Sequence, residues 1–146
     1  MGFDNSFRFK MTKISKNYKP TKKEKFMNSK MKEYFRLKLT NWKNELLKES
    51  SQTLTKLQKE ENTAKPDITD RASEEMERAF ELRTRDRERK LINKIDEAIK
   101  RIDDNSYGYC EETGEPISIK RLEARPVATL SIEAQEMHEK NERKIN

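Results

Sequence analysis

Between Lys30 and Glu60, apolar side chains return every three or four residues. Phe35, Leu39, Trp42 and Leu46 step by four, three and four, and Leu57 falls back on the same line. That is the a/d spacing of a coiled-coil seam, with Ser50 and Thr53 as polar occupants between. No glycine or proline interrupts the segment, and its Glu, Lys, Gln and Leu residues are good helix formers. Pro66, in ENTAKPDITD, cannot continue a helix and pushes Lys65 towards an extended conformation. A second helix is predicted from Asp70 to Asp104. Ala72, Met76 and Ala79 begin its apolar stripe, Leu91, Ile95, Ala98 and Ile102 resume it, and Asn105, Ser106 and Gly108 end it.

Two helices of about 30 residues joined by a short loop fold back as an antiparallel hairpin, each arm about 45 Å long. The half nearest the loop is poorer in apolar residues and is expected to be the softer one. Such a rod either reaches into a partner with its polar tip or serves as a plain interaction coiled coil. Periodicity alone does not separate the two.

After the hairpin the pattern changes. YGYCEETGEPISIKRLEARPVATLS holds Gly108, Gly114, Pro116 and Pro126, with short apolar alternations that predict small strands or extended turns. SIEAQEMHEKNERK then predicts a terminal helix, capped by Ser131, with Ala134, Met137 and His138 on one side. The expected fold is therefore mainly α. It has a basic, flexible arm over residues 1–29, a coiled-coil hairpin over 30–104 with its tip near 65–72, and a knuckle with a C-terminal helix over 105–146.

Composition fits long solvated helices: 32% of residues are hydrophobic and 41% charged, against about 25% charged in ordinary domains. The net charge of +6 resides in the arm, because residues 1–33 hold ten Lys or Arg against three Asp or Glu. Such an arm can touch phosphates without sequence preference, although a solvated tail is the better explanation. No run of about 18 apolar residues exists to span a membrane, and there is no signal-peptide core, so the chain is read as cytoplasmic. A single cysteine excludes an internal disulfide. There is no nucleophile–base constellation, no glycine-rich phosphate loop and no metal cluster, so an enzyme is not expected.

The knuckle poses its own question. Its turns have the spacing of a C-x₂-C-x₁₅₋₂₀-C-x₂-C zinc ribbon, yet measured from Cys110 the other corners are Thr113, Ser131 and Ala134. His138, one turn past Ala134, raises the ligands only to two, short of the four a structural zinc requires. No structural zinc is expected. Thr113 and Ser131 hydrogen bonds, with packing by Ile117, Leu122, Val127 and Leu130, are expected to hold the knuckle, and Cys110 is read as a small buried packing residue.

Three motifs in fixed order, PDITDRA, ELRTRDRERKLINKI and YGYCEETGEPISIKRLEARPVATLSIEAQ, strongly resemble the DksA/TraR family of bacterial transcription factors. The likeness runs from about Lys30 to Arg143 and leaves out the basic arm. The resemblance implies a coiled-coil hairpin on a globular base with a zinc-finger-like knuckle. It also implies a hairpin inserted through the secondary channel of RNA polymerase and joint action with guanosine tetraphosphate on promoter open complexes. Stable-RNA promoters would be inhibited and some biosynthetic ones aided. DNA is not read, and a monomer is expected.

By the same resemblance, Asp67, Asp70 and Ala72 match the tip pattern D-x-x-D-x-A. Arg87 and Leu91 would meet the channel rim, and Leu91, Lys94 and Arg125 would cradle the alarmone. Cys110, Thr113, Ser131 and Ala134 stand where zinc-bearing members carry cysteines, and Gln135 replaces a phosphate-binding lysine. Local sequence reads the tip differently: Asp67 sits where an N-cap belongs, with Asp70 in a capping-box slot. Arg83, Arg87 and Lys94 also form a basic helix edge beside Leu91, which ordinarily means a solvated face. Two other functions fit parts of the pattern. One is a Gre-like stimulator of transcript cleavage, the other a nucleic-acid-binding protein led by its basic arm.

Overall fold

The computed structural model describes residues 14–61 and 68–145, with side chains described for 14–56, 58–59 and 71–145. Four helices follow in order: α1 (Ser29–Glu61), α2 (Ile68–Asp103), α3 (Ile119–Ala124) and α4 (Ile132–Ile145). Two compact units divide the chain, one of Met1–Leu39 with Glu97–Asn146, the other of Thr40–Asp96.

In the Thr40–Asp96 unit, α1 and α2 run antiparallel. Lys43 Nζ meets Asp96 Oδ1 at 2.7 Å, the Ser50 hydroxyl donates to Glu88 Oε2 at 2.7 Å, and Lys56 Nζ meets Glu81 Oε1 at 2.8 Å. The partner's number falls as the first number rises, as opposed directions require. Leu46 and Ile95 are buried, with Trp42, Leu91 and Ile92 half-buried. Going towards the loop, the covered face of α2 is no longer apolar: Glu74, Arg78, Glu81, Arg85 and Glu88 are half-buried. Their steps of four, three, four and three continue the stripe of Ile95, Ala98 and Ile102 back along the helix. The expected stripe of Ala72, Met76 and Ala79 is thereby corrected. These three are exposed. Register explains the reversal: the angular position set by Ile95, Ala98 and Ile102 carries charged residues inward wherever they occur at seam spacing.

The other unit holds the main core. Met31, Phe35 and Leu39 of α1, Ala98 and Ile102 of α2, and Tyr107, Ile117 and Leu122 beyond it are buried together. α2 ends on Asn105 in the left-handed region (φ 65°), with Ser106 N–H donating to Arg101 O at 2.9 Å, the six-to-one closure of a Schellman cap. Arg36 pairs with Asp103 at 2.6 Å, and Lys32 Nζ donates to Asn105 Oδ1.

The knuckle carries less β structure than its alternation predicts. Among the described residues the strand pairing is one antiparallel bridge, Tyr109 to Pro116. Helix α3 begins on the last residue of the alternating stretch Pro116–Ile119 and is capped by the Ser118 hydroxyl, which accepts from Arg121 N–H at 3.2 Å. Ser118 as cap and the three-residue step from Ile119 to Leu122 were the available signal.

Residues 14–28 also depart from a wholly flexible arm. Met27 is buried, Phe26 sits edge-on to Tyr109 (centroids 5.3 Å apart), and Tyr18 sits edge-on to Tyr34 (6.0 Å). These anchors lack any period, so a lysine-rich stretch concealed them. Residues 1–13 lie outside the described set. Gly108 (φ +90°) makes this packing possible, since a Cβ there would stand 3.1 Å from both Met27 Cε and Phe26 Cζ.

Candidate functional site

The knuckle is built from turns whose backbone groups pair with one another. Cys110 N–H donates to Glu115 O (2.8 Å), Gly114 N–H to Cys110 O (2.9 Å), Ile117 N–H to Gly108 O (2.7 Å) and Glu111 N–H to Thr129 O (2.9 Å). The buried Tyr107 hydroxyl donates to Pro126 O at 2.7 Å. Burial pushes the Tyr107 phenol well above its usual range, so it stays a donor at any working pH.

At the four corners the chemistry differs sharply. Cys110 is covered, lying just beneath the surface. Burial pushes its thiol up, but hydrogen bonds from the Thr113 hydroxyl and from the Ser131, Thr113 and Glu112 N–H groups outweigh burial and bring it down to about 6. The Thr113 oxygen accepts from Glu115 N–H at 3.3 Å, and Ser131 Oγ caps α4 by accepting from Ala134 N–H at 3.2 Å. Ala134 is buried and has no donor atom. One thiol, two hydroxyls already committed to backbone groups and a methyl do not fit a tetrahedral zinc. Among the described residues no three His, Cys, Asp or Glu side chains gather as a metal site would need. His138 contacts Glu112 Oε1, tying α4 to the turn at 111–113. It is exposed, as is Met137, so of the three residues expected on one side of α4 only Ala134 is buried.

The remaining sequence-predicted residues are distributed along α2 and the knuckle. Asp67 lies outside the described residues, and so does the side chain of Asp70, whose backbone belongs to α2. Ala72 is exposed near the start of α2. Arg87 and Lys94 are exposed two turns apart on one face of α2, and Leu91 is half-buried between them. Arg125 is exposed at the C-cap of α3, its N–H donating to Arg121 O at 2.7 Å. Arg87 and Lys94 belong to one unit and Arg125 to the other. Beside Arg125, Lys38 Nζ donates to Glu123 O at 3.0 Å, and Arg121 Nε donates to Leu130 O at 2.9 Å, fixing α3 in place. Met76, expected in the apolar stripe, is exposed at 74%, and Phe80, which the sequence reading did not single out, at 64%.

An antiparallel helical hairpin continuous in sequence with a small zinc-finger-like knuckle defines the class of protein by its fold. The family model for the N-terminal domain of the DnaK suppressor protein DksA matches residues 31–102, and that for the prokaryotic dksA/traR C4-type zinc finger matches 105–140. The chain belongs to the DksA/TraR family, whose members are transcription factors rather than enzymes.

The "RNA polymerase-binding transcription factor DksA" of Caulobacter vibrioides is 62% identical over 128 residues, covering 87% of this chain and 89% of that protein. Its namesake in Escherichia coli K12 is 44% identical over 122 residues, covering 84% and 80%. The solved structure of transcription factor DksA2 from Pseudomonas aeruginosa superposes with a TM-score of 0.75 at 42% identity, covering 81% of this chain and 90% of that one. The mainly helical fold with a coiled-coil hairpin is that of the family. The C4-type match is to the module's turns, for here only one of its four corners is a cysteine.

Proposed function

We propose that the protein is a transcription regulator that binds RNA polymerase in the cytoplasm and acts with guanosine tetraphosphate on promoter open complexes. The observation that carries this reading is the 62% identity, over most of both chains, to a named RNA polymerase-binding transcription factor. No helix among the described residues is long and apolar enough to cross a membrane.

In this reading the hairpin enters the polymerase secondary channel and presents Asp67, Asp70 and Ala72 towards the active centre, where two carboxylates act on its metal, its moving helices or the incoming nucleotide. Arg87 and Leu91 meet the channel rim. Leu91, Lys94 and Arg125 join that rim around the alarmone, Lys94 as a point charge and Arg125 as a planar fork on its phosphates. Gln135 offers no charge there. The knuckle works without zinc, on hydrogen bonds to Cys110 and the cap at Ser131.

The test is transcription in vitro from a ribosomal promoter, with and without guanosine tetraphosphate, comparing the parent with Asp67→Asn and Asp70→Asn. Asn caps a helix about as well as Asp, so both variants should keep their melting temperature and polymerase affinity while losing inhibition. A parent that leaves the promoter untouched and cleaves the transcript of stalled complexes would overturn the reading in favour of a cleavage stimulator.

A further inference from the structure

Helix α3 has six residues, too few to hold itself. Its first turn is tied down by the Ser118 cap and by Leu122, which is fully buried. Its last turn has no such core: Ala124 and Arg125 are exposed and Glu123 is half-buried. Carbonyls at the end of a helix need donors from outside it. For Glu123 O that donor is Lys38 Nζ, which reaches it from α1 at 3.0 Å and the Glu123 carboxylate at 3.2 Å. Tyr34, one turn before Lys38 on the same face of α1, lies under that ammonium, its ring centroid 5.8 Å away. Burial, and the Glu123 carboxylate to which its hydroxyl donates, push the Tyr34 phenol up to about 12. Two side chains of α1 thus converge on one residue of α3. Arg125 follows two residues later, in the same compact unit. Its N–H donates to Arg121 O at 2.7 Å and its carbonyl accepts from Ala128 N–H at 3.0 Å. Its side chain is exposed and enters no ion pair among the described residues.

We infer that Lys38 is a positioning residue for the alarmone: by holding the last turn of α3 through Glu123, it presents the Arg125 guanidinium to the nucleotide's phosphates. The inference rests on the function proposed above, in which Arg125 is a fork on those phosphates. Binding costs less when the backbone that carries the donor is already ordered. A planar fork also tolerates less misplacement than a point charge. Lys38 is not itself a contact, because its ammonium is already shared between the Glu123 carbonyl and carboxylate. Nor does the pair add much to the fold: its side chains are 35% and 33% exposed, and solvent screens them.

The test measures two quantities with the full chain. One is RNA polymerase affinity without nucleotide, the other the guanosine tetraphosphate concentration that half-saturates its effect on a ribosomal promoter. Lys38→Met keeps the length of the side chain and removes the donor. It should melt and bind polymerase like the parent, while the half-saturating concentration rises about three- to tenfold, the worth of one ordering hydrogen bond. Arg125→Ala should raise it further. Adding Lys38→Met to Arg125→Ala should change nothing more, because the lysine acts through the arginine. Lys43→Met, which breaks the comparable α1 pair with Asp96 in the other unit, should leave the nucleotide response intact. A parent blind to the nucleotide, or an Arg125→Ala variant as responsive as the parent, would defeat the function proposed for Arg125 and this inference with it. Beside a blunted Arg125→Ala, the inference alone is overturned by a Lys38→Met variant that responds like the parent, or by additive losses in the double variant. It is equally overturned if Lys43→Met costs as much response as Lys38→Met, or if Lys38→Met loses polymerase affinity as much as nucleotide response.

Discussion

Cys110 is a buried thiol at the one cysteine corner of a module whose other corners are Thr113, Ser131 and Ala134. The Thr113 hydroxyl and three backbone N–H groups directed at its sulfur favour the thiolate and bring the thiol down to about 6. The sign of the stability effect follows. The thiol titrates near 9 when unperturbed and at about 6 in the fold, so the folded state favours the deprotonated form. Its contribution is fully present above about 9, declines as pH falls through that window, and is gone below about 6. The melting-temperature difference between parent and Cys110→Ala should therefore widen as pH rises from about 6 to about 9. A gap of constant size across that window would show that the sulfur is only packing volume. The sequence could place Cys110 at a ribbon corner with Glu112 and Thr113 beside it, but the Ser131 N–H reaches it from 21 residues along the chain.

Along the helices, the seam changes character rather than ending. Near Ile95 it is apolar; near Ser50 and Glu88 it is a hydrogen-bonded pair at 2.7 Å. A hydrogen bond between half-buried groups contributes little net stability, whereas replacing both partners by apolar groups of suitable shape is neutral or stabilising. Ser50→Leu combined with Glu88→Leu should thus stabilise the pair by about 1–3 kcal/mol, the value of burying leucine at a seam position. Native-state amide exchange is the measurement, and protection should rise over residues 46–56 and 81–92. Unchanged exchange there would mean that the polar seam does not limit local opening. The scarcity of apolar residues near the loop was legible in the sequence. The inward turn of Glu74, Arg78 and Glu81 was not, because the eye assigns Met76 and Ala79 to the core by their identity. The correct register required carrying the Ile95–Ile102 stripe backwards turn by turn.

For the molecule as a regulator, the proposed contacts divide between the two units. Arg87 stands on α2 in one unit and Arg125 at the end of α3 in the other, both exposed. If Arg87 serves the polymerase and Arg125 the alarmone, the two truncations should separate in titration. Arg87→Ala should weaken polymerase binding about equally with and without guanosine tetraphosphate. Arg125→Ala should leave basal affinity near the parent's and blunt the nucleotide's effect. Removing a charge-assisted contact of this kind is worth about 1.5–3 kcal/mol, roughly ten- to a hundredfold in the affected equilibrium. Equal losses in both variants, with the nucleotide response intact, would contradict the division.

Local rules settled much of this protein in advance. The heptad steps of Phe35, Leu39, Trp42 and Leu46 and the break at Pro66 place the two long helices to within about two residues, because helix periodicity and proline geometry act between near neighbours. Ser131 as cap of α4 and the motifs that carry the family likeness are equally local. What required the tertiary structure was every choice among faces and partners. Tyr18, Phe26 and Met27 find Tyr34, Tyr109 and Gly108 far along the chain. Ile119–Ala124 winds into a helix that buries Leu122 under a Ser118 cap, while the alternating stretch before it, Pro116–Ile119, contributes one bridge. Pairing between α1 and α2 fixes one angular register for the whole seam, and that register turns charges inward and leaves Met76 and Phe80 on the outside.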